Sequence, residues 1–84
     1  MIKFIIQDGK NGDMLGIVLE KHNIELLKEG KPIIFNMAKT FGYYHVDNVL
    51  VCYFETQEEA MKKLREEGYI TDDTVVVNKR GKEI

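Results

Sequence analysis

The residues best suited to binding lie together in the segment KTFGYYH at positions 39–45. A tyrosine offers a flat apolar ring with a polar tip, which suits recognition of a partner. Together with a lysine, such rings could hold a small ligand that is anionic or contains a base. The alternative is that the aromatic side chains of this segment mainly cover the core. The predicted ligand-binding residues are Lys39, Tyr43, Tyr44 and His45.

His45 is also the best candidate for acid–base chemistry, because Asp47 follows it two positions later. On a strand these two side chains would point to the same side. The same spacing equally describes an ordinary surface pair. His22 and His45 are the only histidines, and neither has cysteines or carboxylates at ligand spacing. We therefore predict no catalytic residue, no metal site and no cofactor.

Other chemical motifs are missing from the chain. Residues 8–13, DGKNGD, lack the ligands that a calcium loop needs and are typical of a turn. There is neither a phosphate-binding glycine loop nor a nucleophile elbow. The single cysteine, Cys52, lies in an apolar run and is predicted to be a core residue without a disulfide partner.

Length and composition favour one cytoplasmic domain spanning residues 1–84. The chain is 44% apolar and 31% charged, with a net charge of −2, so no broad electrostatic field favours nucleic acid or membrane as a partner. The N-terminal apolar run lacks the features of a signal peptide and is typical of a strand. No stretch approaches the roughly 18–20 apolar residues that a membrane span needs.

The strongest structural signal is the junction between an apolar run at residues 49–54 and a helix that follows it. Six consecutive apolar residues predict a strand covered on both faces. Thr56 and Glu59 then have the spacing of a capping box. Residues 14–19 are ambiguous between a short extra strand and the start of a helix. The predicted elements are strands at 2–7, 32–37, 46–54 and 74–78, helices at 20–29 and 57–67, and a loop at 38–45.

This order predicts an α+β fold, a ferredoxin-like βαββαβ two-layer sandwich with an antiparallel or mixed sheet. Both helices would then pack on one face of the sheet. Residues expected on the other face, such as Ile5, Ile34 and Val76, are still apolar. An open apolar face needs a cover, and a second copy of the chain is the simplest one. We therefore expect a homodimer.

Residues 54–60, FETQEEA, resemble the end of the third strand and the start of the second helix in RNA-recognition motif domains. The resemblance supports the fold, but it does not extend to RNA binding. Val49 and Val51 occupy the positions where those domains stack bases on aromatic rings, and Asp47 and Asn48 replace the basic residue and glycine.

We therefore expect a small interaction module without catalytic activity, binding a protein partner or a small ligand. One alternative is a nucleotide or nucleic-acid binder that uses local basic residues. Another alternative is a small acid–base enzyme that uses His45.

Overall fold

A computed structural model of the chain describes residues 2–10, 16–41, 44–78 and 82–84. These residues form an α+β structure with two helices. The helices are α1 (Lys21–Lys28) and α2 (Gln57–Glu66). The strands are β1 (Ile2–Asp8), β2 (Ile33–Phe35), β3 (Lys39–Phe41), β4 (Tyr44–Val46), β5 (Asn48–Cys52) and β6 (Thr74–Val77).

Four of these strands form an open mixed sheet in the order β2-β5-β1-β6. The central strand β1 runs parallel to both neighbours, with Ile5 opposite Val49 on β5 and opposite Val77 on β6. β2 runs antiparallel to β5 along one edge. β3 and β4 pair with each other as a separate two-stranded ribbon.

The prediction that both helices pack on one face of the sheet is wrong. α2 covers one face, where Ala60 and Leu64 join the buried side chains of Phe4, Ile6, Leu50, Cys52 and Val76. α1 covers the opposite face, where Leu27 joins Ile5, Val49, Val51 and Val77. Neighbouring residues such as Phe4 and Ile5 point to opposite faces because strand side chains alternate. The sheet is therefore covered on both sides, as the apolar run at residues 49–54 predicts.

The sheet face that was expected to be open is covered within a single chain. Ile5, Val49 and Val51 are each 0% exposed within a single chain. Their cover comes from α1, from Ile17 in the segment that precedes it, and from Val46 on β4. An uncovered apolar face therefore no longer argues for a homodimer. The ferredoxin-like order is not confirmed, because β1 has only parallel neighbours and the helices lie on opposite faces.

The start of α2 has the Thr56 cap of the predicted capping box, and both ends of this helix are set by local contacts. The backbone N–H of Glu59 donates to Thr56 Oγ1 at 3.2 Å, which caps the start of α2. At its other end Gly68 has φ of +80°, and the Tyr69 N–H donates to the Leu64 carbonyl at 2.9 Å. This hydrogen bond is that of a Schellman motif, in which a residue with positive φ ends the helix.

Two local predictions differ from the structure. The predicted loop at residues 38–45 contains β3 and part of β4, and the predicted strand at 46–54 is divided at Asp47. Of the ambiguous segment at residues 14–19, positions 14 and 15 lie outside the described residues. Gly16 is in a turn, and residues 17–19 are neither helix nor strand.

Candidate functional site

The β3–β4 hairpin carries most of the residues that the sequence predicts as a binding site. Thr40 pairs with His45 across the ribbon, and Lys39 pairs with Val46. Val46 is 0% exposed and packs among the side chains of the sheet face that α1 covers. Because successive strand residues point to opposite sides, the burial of Val46 turns His45 outward. One side of the hairpin is thus anchored to the core, and the other side faces solvent.

His45 lies between a hydroxyl group and a carboxylate on this outer side. Its Nδ1 is 3.4 Å from Thr40 Oγ1, and its Nε2 is 4.0 Å from Asp47 Oδ1. The second distance is too long for a hydrogen bond and gives an ion pair only when the imidazole is protonated. The side chains of His45 and Asp47 are 59% and 51% exposed. This arrangement can exchange hydrogen bonds with a bound group, but bulk water reaches it.

The structure brings three of the four predicted binding residues onto one hairpin. Lys39 lies in β3, and Tyr44 and His45 lie in β4. For Lys39 and Tyr44 this placement concerns the backbone alone. Tyr43 lies outside the described residues. Binding by this set stays a prediction, and the hairpin supplies the framework that would position it.

A second polar cluster lies where the parallel strands β1 and β5 end. Carboxyl ends of parallel strands meet at the same edge of a sheet, which is where ligands often bind in α/β proteins. Here Lys10 Nζ forms an ion pair with Glu55 and lies 6.0 Å from the centroid of the Tyr53 ring. The Lys10 backbone N–H also donates to Asp8 Oδ1 at 3.1 Å.

The electrostatics of this cluster are those of a satisfied pair. The hydrogen bond to Glu55 raises the pKa of Lys10, and the same bond lowers the pKa of Glu55. Each charge is thus stabilised by the other, so Lys10 serves first as a link between the two strand ends. The spacing of Lys10 and Glu55 in the sequence does not indicate that they pair. The sequence signal for this contact is the two apolar runs, at the N-terminus and at residues 49–54, because such runs are typical of parallel strands.

Cys52 is confirmed as a core residue rather than a reactive thiol. Its side chain is 4% exposed in the layer beneath α2. Burial raises the pKa of the Cys52 thiol to about 11. The thiol is therefore protonated at neutral pH, which makes it a poor nucleophile.

Three further features of the described residues bear on function. A groove of about 190 Å³ lies between α2 and β6, with Arg65 and Ile84 in its lining, and it contains none of the predicted binding residues. Within residues 2–10, 16–41, 44–78 and 82–84 there is no group of three or more His, Cys, Asp or Glu side chains that could hold a metal ion. Neither described helix has the length and apolar character of a membrane span.

Comparison of the chain with known protein families, curated proteins and solved structures finds no match.

Proposed function

We propose that this chain is a small interaction module without catalytic activity, which binds a protein partner or small ligand through the outer side of the β3–β4 hairpin. The supporting observation is that two adjacent residues of β4 have different environments. Val46 is fully buried and fixes the hairpin, whereas His45 next to it is exposed. Side chains on a rigid, anchored ribbon lose less conformational freedom on binding than side chains on a free loop.

The polar groups on this outer side define what the hairpin could recognise. Thr40 and His45 can both donate and accept hydrogen bonds, and Asp47 adds a carboxylate. Such a mixed set suits a peptide segment with polar side chains.

Peptides selected from a random library on the immobilised protein can test this proposal. We expect His45→Ala to weaken the binding of the selected peptides by about tenfold, as is common for a central interface residue. Lys62→Ala, a change at an exposed position on α2, should leave their affinity unchanged. Selected peptides that bind the wild type and both variants equally would contradict the role of the hairpin.

We also propose that the protein forms a homodimer, now through an edge of the sheet rather than a face. β2 is an edge strand, and Ile34 at its centre is 42% exposed. An unpaired edge with an exposed apolar side chain can pair with another chain. Two copies of β2 in antiparallel pairing would satisfy twofold symmetry.

An acid–base enzyme remains the second candidate, because Thr40, His45 and Asp47 place a hydroxyl, an imidazole and a carboxylate in sequence. Hydrolysis of p-nitrophenyl acetate is a suitable test. Under this alternative, Thr40→Val and His45→Ala would both lower the rate. His22→Ala is the matched control, because His22 is also exposed and lies 3.5 Å from Glu20. Equal rates for all three variants would remove the enzyme alternative.

A test of AMP binding distinguishes nucleotide binding through local basic residues from the interaction-module and enzyme candidates. AMP binding that weakens steeply with added salt would support it, since phosphate contacts release counterions. Absent or salt-independent AMP binding would remove it.

A further inference from the structure

Residues 17–30 cover one face of the sheet and are bounded by two glycines with left-handed backbone conformation. Gly16 has φ of +83°, and Gly30 has φ of +85°. We name residues 17–30 the flap. They contain Ile17, Leu19 and the whole of α1. Glycine adopts positive φ at little cost, so both ends of the flap are positions where the chain can change direction.

The flap is held to the sheet by few buried side chains. Within α1, all of which is described, Leu27 is the one buried residue, at 1% exposure. Ile17 adds a second contact at 9% exposure. Beneath the flap, by contrast, Ile5, Val49 and Val51 are fully buried. Segments with few buried apolar contacts open at a lower free energy than the core they cover.

One hydrogen bond ties the end of the flap to the other helix. Lys63 Nζ on α2 donates to the carbonyl oxygen of Gly30 at 2.6 Å. Lys63 is half-buried, and a positive charge near the C-terminal carbonyl groups of a helix is favourable. Lys63 therefore holds the C-terminal end of α1 without being part of the flap.

The side-chain amide of Gln7, which is buried beneath the flap, favours opening of the flap rather than closure. Gln7 is 4% exposed and lies on the same sheet face as Ile5. Its Nε2 donates to the Asp8 carbonyl at 3.2 Å, but its Oε1 has no hydrogen-bond partner among the described residues. Gly9, two positions along, approaches Leu27 so closely that a Cβ would lie 2.9 Å from Leu27 Cδ1. Gln7 is thus two positions along the chain from the point where Leu27 approaches the backbone.

An unpaired buried acceptor destabilises the state that buries it, because it has lost water without gaining a partner. Opening of the flap would return water to Gln7 Oε1 and remove this cost. Closure is thus supported by the apolar contacts of Leu27, Ile17 and Leu19 and by the bond from Lys63, and it is opposed by the unpaired oxygen of Gln7. We propose that the flap opens from the sheet as a unit, with Gly16 and Gly30 as hinges and Lys63 as the latch, while β1, β5 and α2 remain folded.

Native-state hydrogen exchange of the full chain, followed by NMR at low denaturant concentrations, tests this proposal. The hydrogen-bonded amides of Ile24, Glu29 and Lys31 report on α1. We expect them to share one opening free energy, clearly below that of the β1 and β5 amides. A shared value distinguishes opening as a unit from fraying, which gives a gradient from the helix ends. Exchange of the α1 amides at the same free energy as the β1 and β5 amides would overturn the proposal.

The latch can be tested with a matched pair of variants. Lys63→Met removes the charge and the bond to Gly30, and Lys62→Met makes the same chemical change at the adjacent exposed position. Since a hydrogen bond from a charged group is lost, Lys63→Met should speed exchange of the α1 amides by about tenfold relative to the β1 amides. Lys62→Met should leave this ratio unchanged. Equal ratios in the two variants would refute the latch.

The role of Gln7 has its own readout. Gln7→Leu removes the unpaired oxygen, so we expect the α1 amides to exchange about threefold to tenfold more slowly than in the wild type. If Gln7→Leu instead slows exchange of the β1 and β5 amides and leaves α1 exchange unaltered, the substitution stabilises the whole fold without affecting the flap. That result would refute this role of Gln7. If Gln7→Leu does not fold, Gln7→Met makes the same test with a more flexible side chain.

Discussion

At Gly9 the absence of a side chain determines how closely β1, β5 and α1 approach one another. A Cβ at this position would lie 2.9 Å from both Leu27 Cδ1 and Tyr53 Cε1, closer than ordinary side-chain contacts. Gly9→Ala should therefore lower the free energy of unfolding by about 1–3 kcal/mol through overpacking. Urea denaturation measures this change. In a Leu27→Ala background the same substitution should cost less, because the crowding atom has been removed. A neutral Gly9→Ala would contradict the steric argument.

The Cys52 thiol gives the protein a defined response to alkaline pH. Its pKa is about 11 in the folded chain, compared with an ordinary value of 9.0. As pH rises above 9, the unfolded chain releases the thiol proton first, so ionisation favours unfolding. The stabilisation is fully present below pH 9 and is lost as pH rises towards 11, by about 2–3 kcal/mol at 1.36 kcal/mol per pKa unit.

Urea denaturation of the reduced protein at several pH values, compared with Cys52→Ala, isolates this contribution. All other residues are the same in the two proteins, so their effects cancel in the difference. We expect the stability advantage of the wild type over Cys52→Ala to shrink between pH 9 and 11. A constant difference over this range would show that Cys52 titrates alike in the folded and unfolded chains.

At the scale of elements, the position of the β3–β4 hairpin depends on Val46. This side chain is 0% exposed, so Val46→Ala should lower the free energy of unfolding by about 1–3 kcal/mol and reduce the exchange protection of the hairpin amides. Val18→Ala is the matched control, because Val18 is 83% exposed. That change should stay within about 0.5 kcal/mol of the wild type. Equal stability of the two variants would show that Val46 does not anchor the hairpin.

The elements that local signals determine could be predicted from the sequence. The ends of α2 depend on Thr56, which caps the first turn, and on Gly68, which adopts positive φ after the last turn. Both effects involve residues within a few positions of each other. The alternation of Phe4 and Ile5 between the two sheet faces likewise follows from strand geometry.

Features that depend on distant contacts could not be predicted in this way. The hairpin forms where a loop was expected, because the burial of Val46 against the sheet is a tertiary contact. Lys10 and Glu55 are 45 positions apart, and only the parallel pairing of β1 with β5 brings them together. In the candidate site, the closeness of His45 and Asp47 follows from their spacing, whereas the position of Thr40 opposite His45 depends on the register of the hairpin.

At the scale of the whole molecule, covered faces leave the sheet edges as the places where another chain could pair. The β6 edge is partly covered by residues 82–84: the Asn78 N–H donates to the Lys82 carbonyl, and the Ile84 N–H donates to the Val76 carbonyl, each at 2.9 Å. The outer side of β2 has no paired strand in the described part of the chain. The two edges are therefore unequal, and β2 is the one open to pairing.

Pairing of β2 with β2 of a second copy predicts a specific response to substitution at Ile34. Antiparallel pairing about Ile34 would bring the two exposed side chains together and add main-chain hydrogen bonds between the copies. Sedimentation velocity at micromolar concentrations should show a dimer for the wild type and a monomer for Ile34→Lys, because a lysine there places two like charges at the centre of the contact. Val18→Lys introduces the same charge at a more exposed position outside β2 and should remain a dimer. A monomeric wild type would refute the homodimer, and a dimer that persists in Ile34→Lys would place the interface on a surface other than β2.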